Sequence, residues 1–114
     1  MDRMLERIVA FVNERDWEQV HNPKDTAISL SLEAAEVLEH FQWKSPKEID
    51  AYLKTNKDDI ADELVDVLYW VLLMGYYFKV DLEKAFDRKM AENEKKYPSD
   101  KAKGNHKKYT AHTS

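Results

Sequence analysis

Residues 30–41 read LSLEAAEVLEHF, and residues 59–74 read DIADELVDVLYWVLLM. Each stretch holds two carboxylates at i, i+3: Glu33 with Glu36, and Glu63 with Asp66. On a helix that spacing stacks both acids on one face, a turn apart. On the first stretch Glu33, Glu36 and His40 share a narrow stripe, flanked by Leu32 and Ala35 on one side and by Leu30, Val37 and Phe41 on the other. On the second, Asp59, Glu63, Asp66 and Trp70 share a stripe between Val67 and Met74 on one side and Tyr69 and Leu73 on the other. Solvated acids normally sit opposite the apolar face of a helix. Acids between apolar flanks are partly buried, and a buried charge needs compensation.

The two pairs are 26 residues apart, enough for one helix to end, the chain to turn and a second helix to start. Side by side, such helices bring four carboxylates to one point with no lysine or arginine in either motif. Their repulsion is relieved by a hard divalent cation, and an all-oxygen donor set suits Mg²⁺, Mn²⁺ or Ca²⁺. Acids at i, i+3 are common on helices, and one pair alone would say little. Two pairs, both between apolar flanks, favour a metal centre.

The chain has 114 residues, the size of one modest domain. It has no cysteine, so neither disulfides nor thiolate metal sites can form. The first residues, MDRMLERIVAF, are amphipathic and lack the apolar block of a secretion signal. The near-apolar run from Val65 to Phe78 is too short to span a bilayer and fits a core helix. A soluble cytoplasmic protein is the expectation. Residues 1–80 hold 16 acids and 9 bases, whereas residues 81–114 hold 6 acids and 9 bases. The acidic portion argues against a nucleic-acid backbone as main partner, while the basic end could meet a smaller anion such as phosphate.

Two glycines, three prolines and a sustained 3.6-residue periodicity predict an all-α chain. A first helix is expected over residues 2–15, with Leu5, Ile8, Val9 and Val12 as its stripe. The connection RDWEQVHN follows, with Trp17 and His21 unusual in a loop. Asn22 is the expected N-cap and Pro23 the first turn of a helix reaching Phe41. Ser45, Pro46 and Glu48 carry a capping-box signature ahead of a short helix with Ile49, Tyr52 and Leu53 on its apolar side. Thr55 and Asn56 mark a break before a long helix over residues 57–79. That helix is apolar almost all round after Leu64, more than so small a chain can surround, which predicts packing against another subunit. Asp81 should cap a last helix to Tyr97, stopped by Pro98. Lys89 and Asn93 share its apolar face with Leu82, Ala85, Phe86 and Met90, and Tyr97 continues it; an inward lysine and asparagine need partners, and phosphate oxygens would serve. Domain organisation reads as a helical domain over residues 1–97 and a basic, mobile tail over 98–114.

Assembled, these segments resemble the MazG-like nucleotide pyrophosphohydrolases of the all-α NTP pyrophosphatase superfamily, whose pattern is ExxE, a spacer and ExxD. RDWEQVHNPKD, EAAEVLEHFQWK, DELVDVLYW and KMAENEKKYP with KGNHKKYT look like the compact branch that includes dCTP pyrophosphatase, and the likeness covers nearly the whole chain. The resemblance implies a compact bundle of four to five helices, assembled as a homotetramer or tight homodimer with sites near subunit interfaces. It implies Mg²⁺, with Mn²⁺ as a possible substitute, on Glu33, Glu36, Glu63 and Asp66. Trp17, His21 and Trp43 match positions that form the base pocket, and Lys89, Asn93 and Tyr97 match positions that contact phosphates or sugar. Trp70 stands where those members often have a tyrosine near the sugar, a departure that bears on the choice between deoxyribose and ribose. The implied reaction is Mg²⁺-dependent hydrolysis of a (d)NTP, dCTP or a related pyrimidine, to the monophosphate and pyrophosphate.

Rival readings are a di-iron carboxylate bundle, a non-enzymatic helical interaction module and a family member with broad NTP specificity. The di-iron class uses Glu-x-x-His, whereas here His40 follows Glu36 with three residues between and no second such pair exists. Tryptophan is most often a core or interface residue, so Trp17 and Trp43 carry a base-pocket role only through the resemblance. His40, a turn beyond Glu36, reads as structural.

Overall fold

The computed structural model describes residues 2–98. Among them are five α-helices, one short 3-10 helix and no strand, as the periodicity predicts. They belong to two compact units, Met1–Lys79 and Val80–Ser114.

The first unit holds α1 (Asp2–Glu14), the 3-10 turn (Glu18–Val20), α2 (Pro23–Glu39), α3 (Pro46–Thr55) and α4 (Lys57–Tyr77). α4 is its axis, packing most extensively against α2 and also against α1. The fully buried core is small: Val12 of α1, Thr26 of α2, and Leu72, Leu73 and Gly75 of α4. Completely burying a leucine such as Leu73 contributes about 1.5–3 kcal/mol. Thr26 is tolerated there because its hydroxyl donates to the carbonyls of Asn22 and Pro23, each at 3.0 Å.

The helix boundaries follow local chemistry. Asn22 caps α2, its Oδ1 accepting from the Asp25 amide at 2.9 Å, and Pro23 occupies the first turn, where its missing N–H costs nothing. Ser45 and Glu48 close the expected capping box: the Glu48 amide donates to Ser45 Oγ and the Ser45 amide donates to Glu48 Oε1. α1 ends in a Schellman turn. Asp16 takes a left-handed φ of 54°, and the Trp17 amide donates back to the Val12 carbonyl at 3.1 Å. Glycine is usual at that position; aspartate is among the few other residues that adopt it readily. At the end of α4 Lys79 also takes a left-handed φ, of 59°, and its amide donates to the Tyr76 carbonyl at 3.2 Å.

Leu64, Val65 and Tyr76 of α4, and Ile28, Leu32 and Leu38 of α2, remain exposed in the single chain. These side chains of α4 and α2 are thus left uncovered among the described residues.

The described part of the second unit carries α5 (Leu82–Lys96), capped by Asp81, whose Oδ1 accepts from the Lys84 amide at 3.0 Å. Residues 99–114, with KGNHKKYT and nearly all of the expected tail, lie outside the described residues. No helix among the described residues is long and apolar enough to cross a membrane.

Candidate metal centre and aromatic cluster

α2 presents Glu33 and Glu36, α4 presents Glu63 and Asp66, and the packing of these two helices makes the four converge. One carboxylate oxygen from each lies within 4.8 Å of the other three. Glu33 and Glu63 are half-buried, while Glu36 and Asp66 are more exposed at the rim. Glu33 Oε2 and Glu63 Oε2 are buried with no hydrogen-bond partner among the described residues. No lysine or arginine among the described residues makes an ion pair with any of the four.

Crowded acids hold protons. Glu63 is pushed up to about 7, chiefly because its side chain shares a hydrogen bond with Glu36, and then by burial and the charges of Glu36, Asp66 and Glu33. Glu33 is also raised, first by burial and then by the charges of Glu36 and Asp66. In a cluster without cations, protons do what a metal would otherwise do. The residues fit a hard divalent ion: the donors are all oxygen, two buried oxygens lack partners, and the charge is uncompensated.

His40, which its sequence position marks as structural, reaches into this site. It follows Glu36 by one turn at the C-terminus of α2, and its Nε2 lies 4.0 Å from Glu63 Oε1. Its Nδ1 is hydrogen-bonded to the Tyr52 hydroxyl of α3. Its place on the acidic stripe was the signal in the sequence; the partner Tyr52 had none.

A second cluster sits where α1, the 3-10 turn and α4 meet. The Schellman turn folds Trp17 back onto Phe11, with ring centroids 5.5 Å apart. His21 lies 6.4 Å from the Trp17 ring and 5.5 Å from the Trp70 ring, in edge contacts. The Tyr77 hydroxyl is 2.6 Å from His21 Nδ1. Burial, then the charge of Glu18, raises the Tyr77 phenol above its usual range, so it stays neutral. Three predicted site residues, Trp17, His21 and Trp70, thus share one aromatic group. Tyr77 escaped sequence reasoning because nothing marks a partner 56 residues away.

Trp43 stands apart. It lies in the turn between α2 and α3, is 86% exposed and makes no ring contact among the described residues. Lys89, Asn93 and Tyr97 belong to the second unit. The Lys89 side chain pairs with Glu92 at 3.7 Å within α5.

Comparison with known proteins agrees with this architecture. A sequence profile of the MazG-like family matches residues 28–111. The dCTP pyrophosphatase 1 of Rattus norvegicus is 37% identical over 102 residues, which are 88% of this chain and 60% of that protein. The dCTP pyrophosphatase 1 of Homo sapiens is 35% identical over the same shares. The chain thus spans about 60% of the length of these relatives. A crystal structure of a pyrophosphatase from Archaeoglobus fulgidus DSM 4304 superposes with a TM-score of 0.80 at 37% identity, covering 86% of this chain and 92% of that one.

Proposed function

This chain belongs to the MazG-like family, and from that membership we propose that it is a nucleoside triphosphate diphosphatase, acting on dCTP or a related pyrimidine nucleotide and dependent on Mg²⁺. The observation that carries the reading is the convergence of four carboxylates, two with orphaned buried oxygens, in a chain similar to proteins named for pyrophosphatase activity.

Glu33, Glu36, Glu63 and Asp66 would hold Mg²⁺, with Mn²⁺ able to replace it. When bound, the cation supplies neutralisation of the phosphate chain's negative charge and acidification of water. The chain's own contributions are positioning and proton acceptance. Glu33 or Glu36, if not fully engaged with metal, takes the proton of the attacking water. Attack at the α-phosphorus breaks its bond to the bridging oxygen and leaves a nucleoside monophosphate and pyrophosphate. No covalent intermediate is required. Trp17 and His21, backed by Trp70, are suited to an aromatic base, with indole faces for stacking and a histidine oriented by Tyr77. Trp43 would cover the base from outside this cluster. Roles for Lys89, Asn93 and Tyr97 toward phosphates or sugar are proposed from the family resemblance alone. So are a catalytic domain over residues 1–97, a basic tail over 98–114, cytoplasmic residence and assembly as a homotetramer or tight homodimer.

The test is pyrophosphate release with Mg²⁺ across canonical and modified dNTPs and NTPs, with products resolved. Selective conversion of dCTP or a close analogue to monophosphate and pyrophosphate is expected. Orthophosphate plus diphosphate would refute α-phosphorus attack. Weak release across all bases would leave the metal chemistry and remove the base pocket. No turnover of any nucleotide would favour a helical interaction module.

A further inference from the structure

We propose that His40 and Tyr52 are a positioning pair for Glu63, setting which of its oxygens is offered to a divalent cation; this rests on the reading of the four acids as a cation site. The His40 side chain is 13% exposed and Glu63 is 26% exposed, so their 4.0 Å approach lies largely out of water. The imidazole is held on three sides. Its ring packs against Phe41 and Tyr52, with centroids 6.1 and 5.6 Å away, and its Nδ1 bonds the Tyr52 hydroxyl. Tyr52 is itself fixed: α3 starts at the Ser45–Glu48 capping box, and the Lys44 ammonium lies 4.3 Å over the Tyr52 ring while donating to the His40 carbonyl at 2.7 Å.

This arrangement fixes the orientation of the ring. The Tyr52 hydroxyl engages Nδ1, which leaves Nε2 as the ring nitrogen facing Glu63 Oε1. Glu63 Oε1 therefore faces the imidazole Nε2, and Oε2 is the buried oxygen with no partner among the described residues. One oxygen is oriented by the protein and the other is left for a cation. Side chains that orient a metal-binding group through such contacts typically change metal affinity by about 10–100-fold when removed. Lys44 serves the same end indirectly: its charge is spent on the aromatic ring and a backbone carbonyl, and it makes no ion pair with the four acids.

A buried histidine that merely fills space would make a different prediction, and binding of Mn²⁺ alone separates the two without any turnover. The full-length chain, as wild type, His40→Leu, His40→Gln and Tyr52→Phe, would be titrated calorimetrically with Mn²⁺, and each metal-free variant melted by circular dichroism. Glutamine carries an N–H near the Nε2 position, whereas leucine fills the space without one. Expected are about 10–100-fold weaker Mn²⁺ binding in His40→Leu, a smaller loss in Tyr52→Phe and substantial recovery in His40→Gln. Unchanged binding in Leu and Phe variants, or equal loss in Leu and Gln variants, would overturn the positioning role while wild type still binds metal. If His40→Leu does not fold, the Gln and Phe variants decide by the same criteria. Wild type that binds no Mn²⁺ would instead sink the cation site, and the inference with it.

Discussion

Glu63 is pushed up to about 7, first by its side-chain hydrogen bond with Glu36, then by burial and by the charges of Glu36, Asp66 and Glu33. That has a sign. Its folded-state value is raised from 4.5 to about 7, so between those limits the folded chain keeps a proton that the unfolded chain has released. Stability of the metal-free protein should therefore fall as pH rises through this window, with Glu33 acting in the same direction. Thermal melts in chelator from about pH 5 to about pH 8 should show a declining midpoint, and Mg²⁺ should restore more at the upper end, where it binds only the folded, ionised cluster. A flat profile would mean that the acids do not interact as their geometry implies. By the same logic Glu63→Ala or Asp66→Ala should abolish nucleotide turnover while leaving the metal-free melting temperature unchanged or higher, since one repelling charge is gone. Cooperative loss of helical signal in either variant would show these acids to be structural.

Among the elements, the end of α1 decides where Trp17 goes. Asp16 in the left-handed region turns the chain, and the 6→1 hydrogen bond from Trp17 to Val12 seats the indole on Phe11. Asp16→Gly should leave stability equal or slightly raised, because glycine adopts this conformation without a Cβ penalty. Asp16→Val should cost about 1–2 kcal/mol in chemical denaturation and loosen the Trp17–His21 contact, visible as a shift in tryptophan fluorescence. Much of this level was readable beforehand. Asn22, Pro23, Ser45, Glu48 and Asp81 act at the boundaries where their chemistry placed them, because capping is local. The Schellman turn was not foreseen, since its sequence lacks the glycine that usually announces one.

At the scale of the whole molecule the single chain is short of core. Val12, Leu72 and Leu73 are its only buried large apolar residues among those described, while Leu32, Leu64 and Val65 stay more than half exposed. An isolated unit with that balance is marginal, and a second copy is the cover this reading proposes. Sedimentation should show an oligomer, and Val65→Lys or Leu32→Lys should shift it toward monomer with a lower melting temperature. A wild-type chain that sediments as a stable monomer would remove the subunit-interface part of the reading.

The amino-acid order alone determined the helical class, most boundaries and the two acidic pairs, because periodicity, caps and i, i+3 spacing are properties of a single helix. It also placed His40 on the acidic stripe, yet not its engagement with Tyr52 and Glu63. Only the packing of α2 on α4 brings the four carboxylates within 4.8 Å. Only the folded chain joins His21 to Tyr77 and leaves Trp43 outside the aromatic group. Those contacts join residues on different helices, or depend on which faces are covered. Both are set by how helices pack, a choice that the pattern within one helix does not contain.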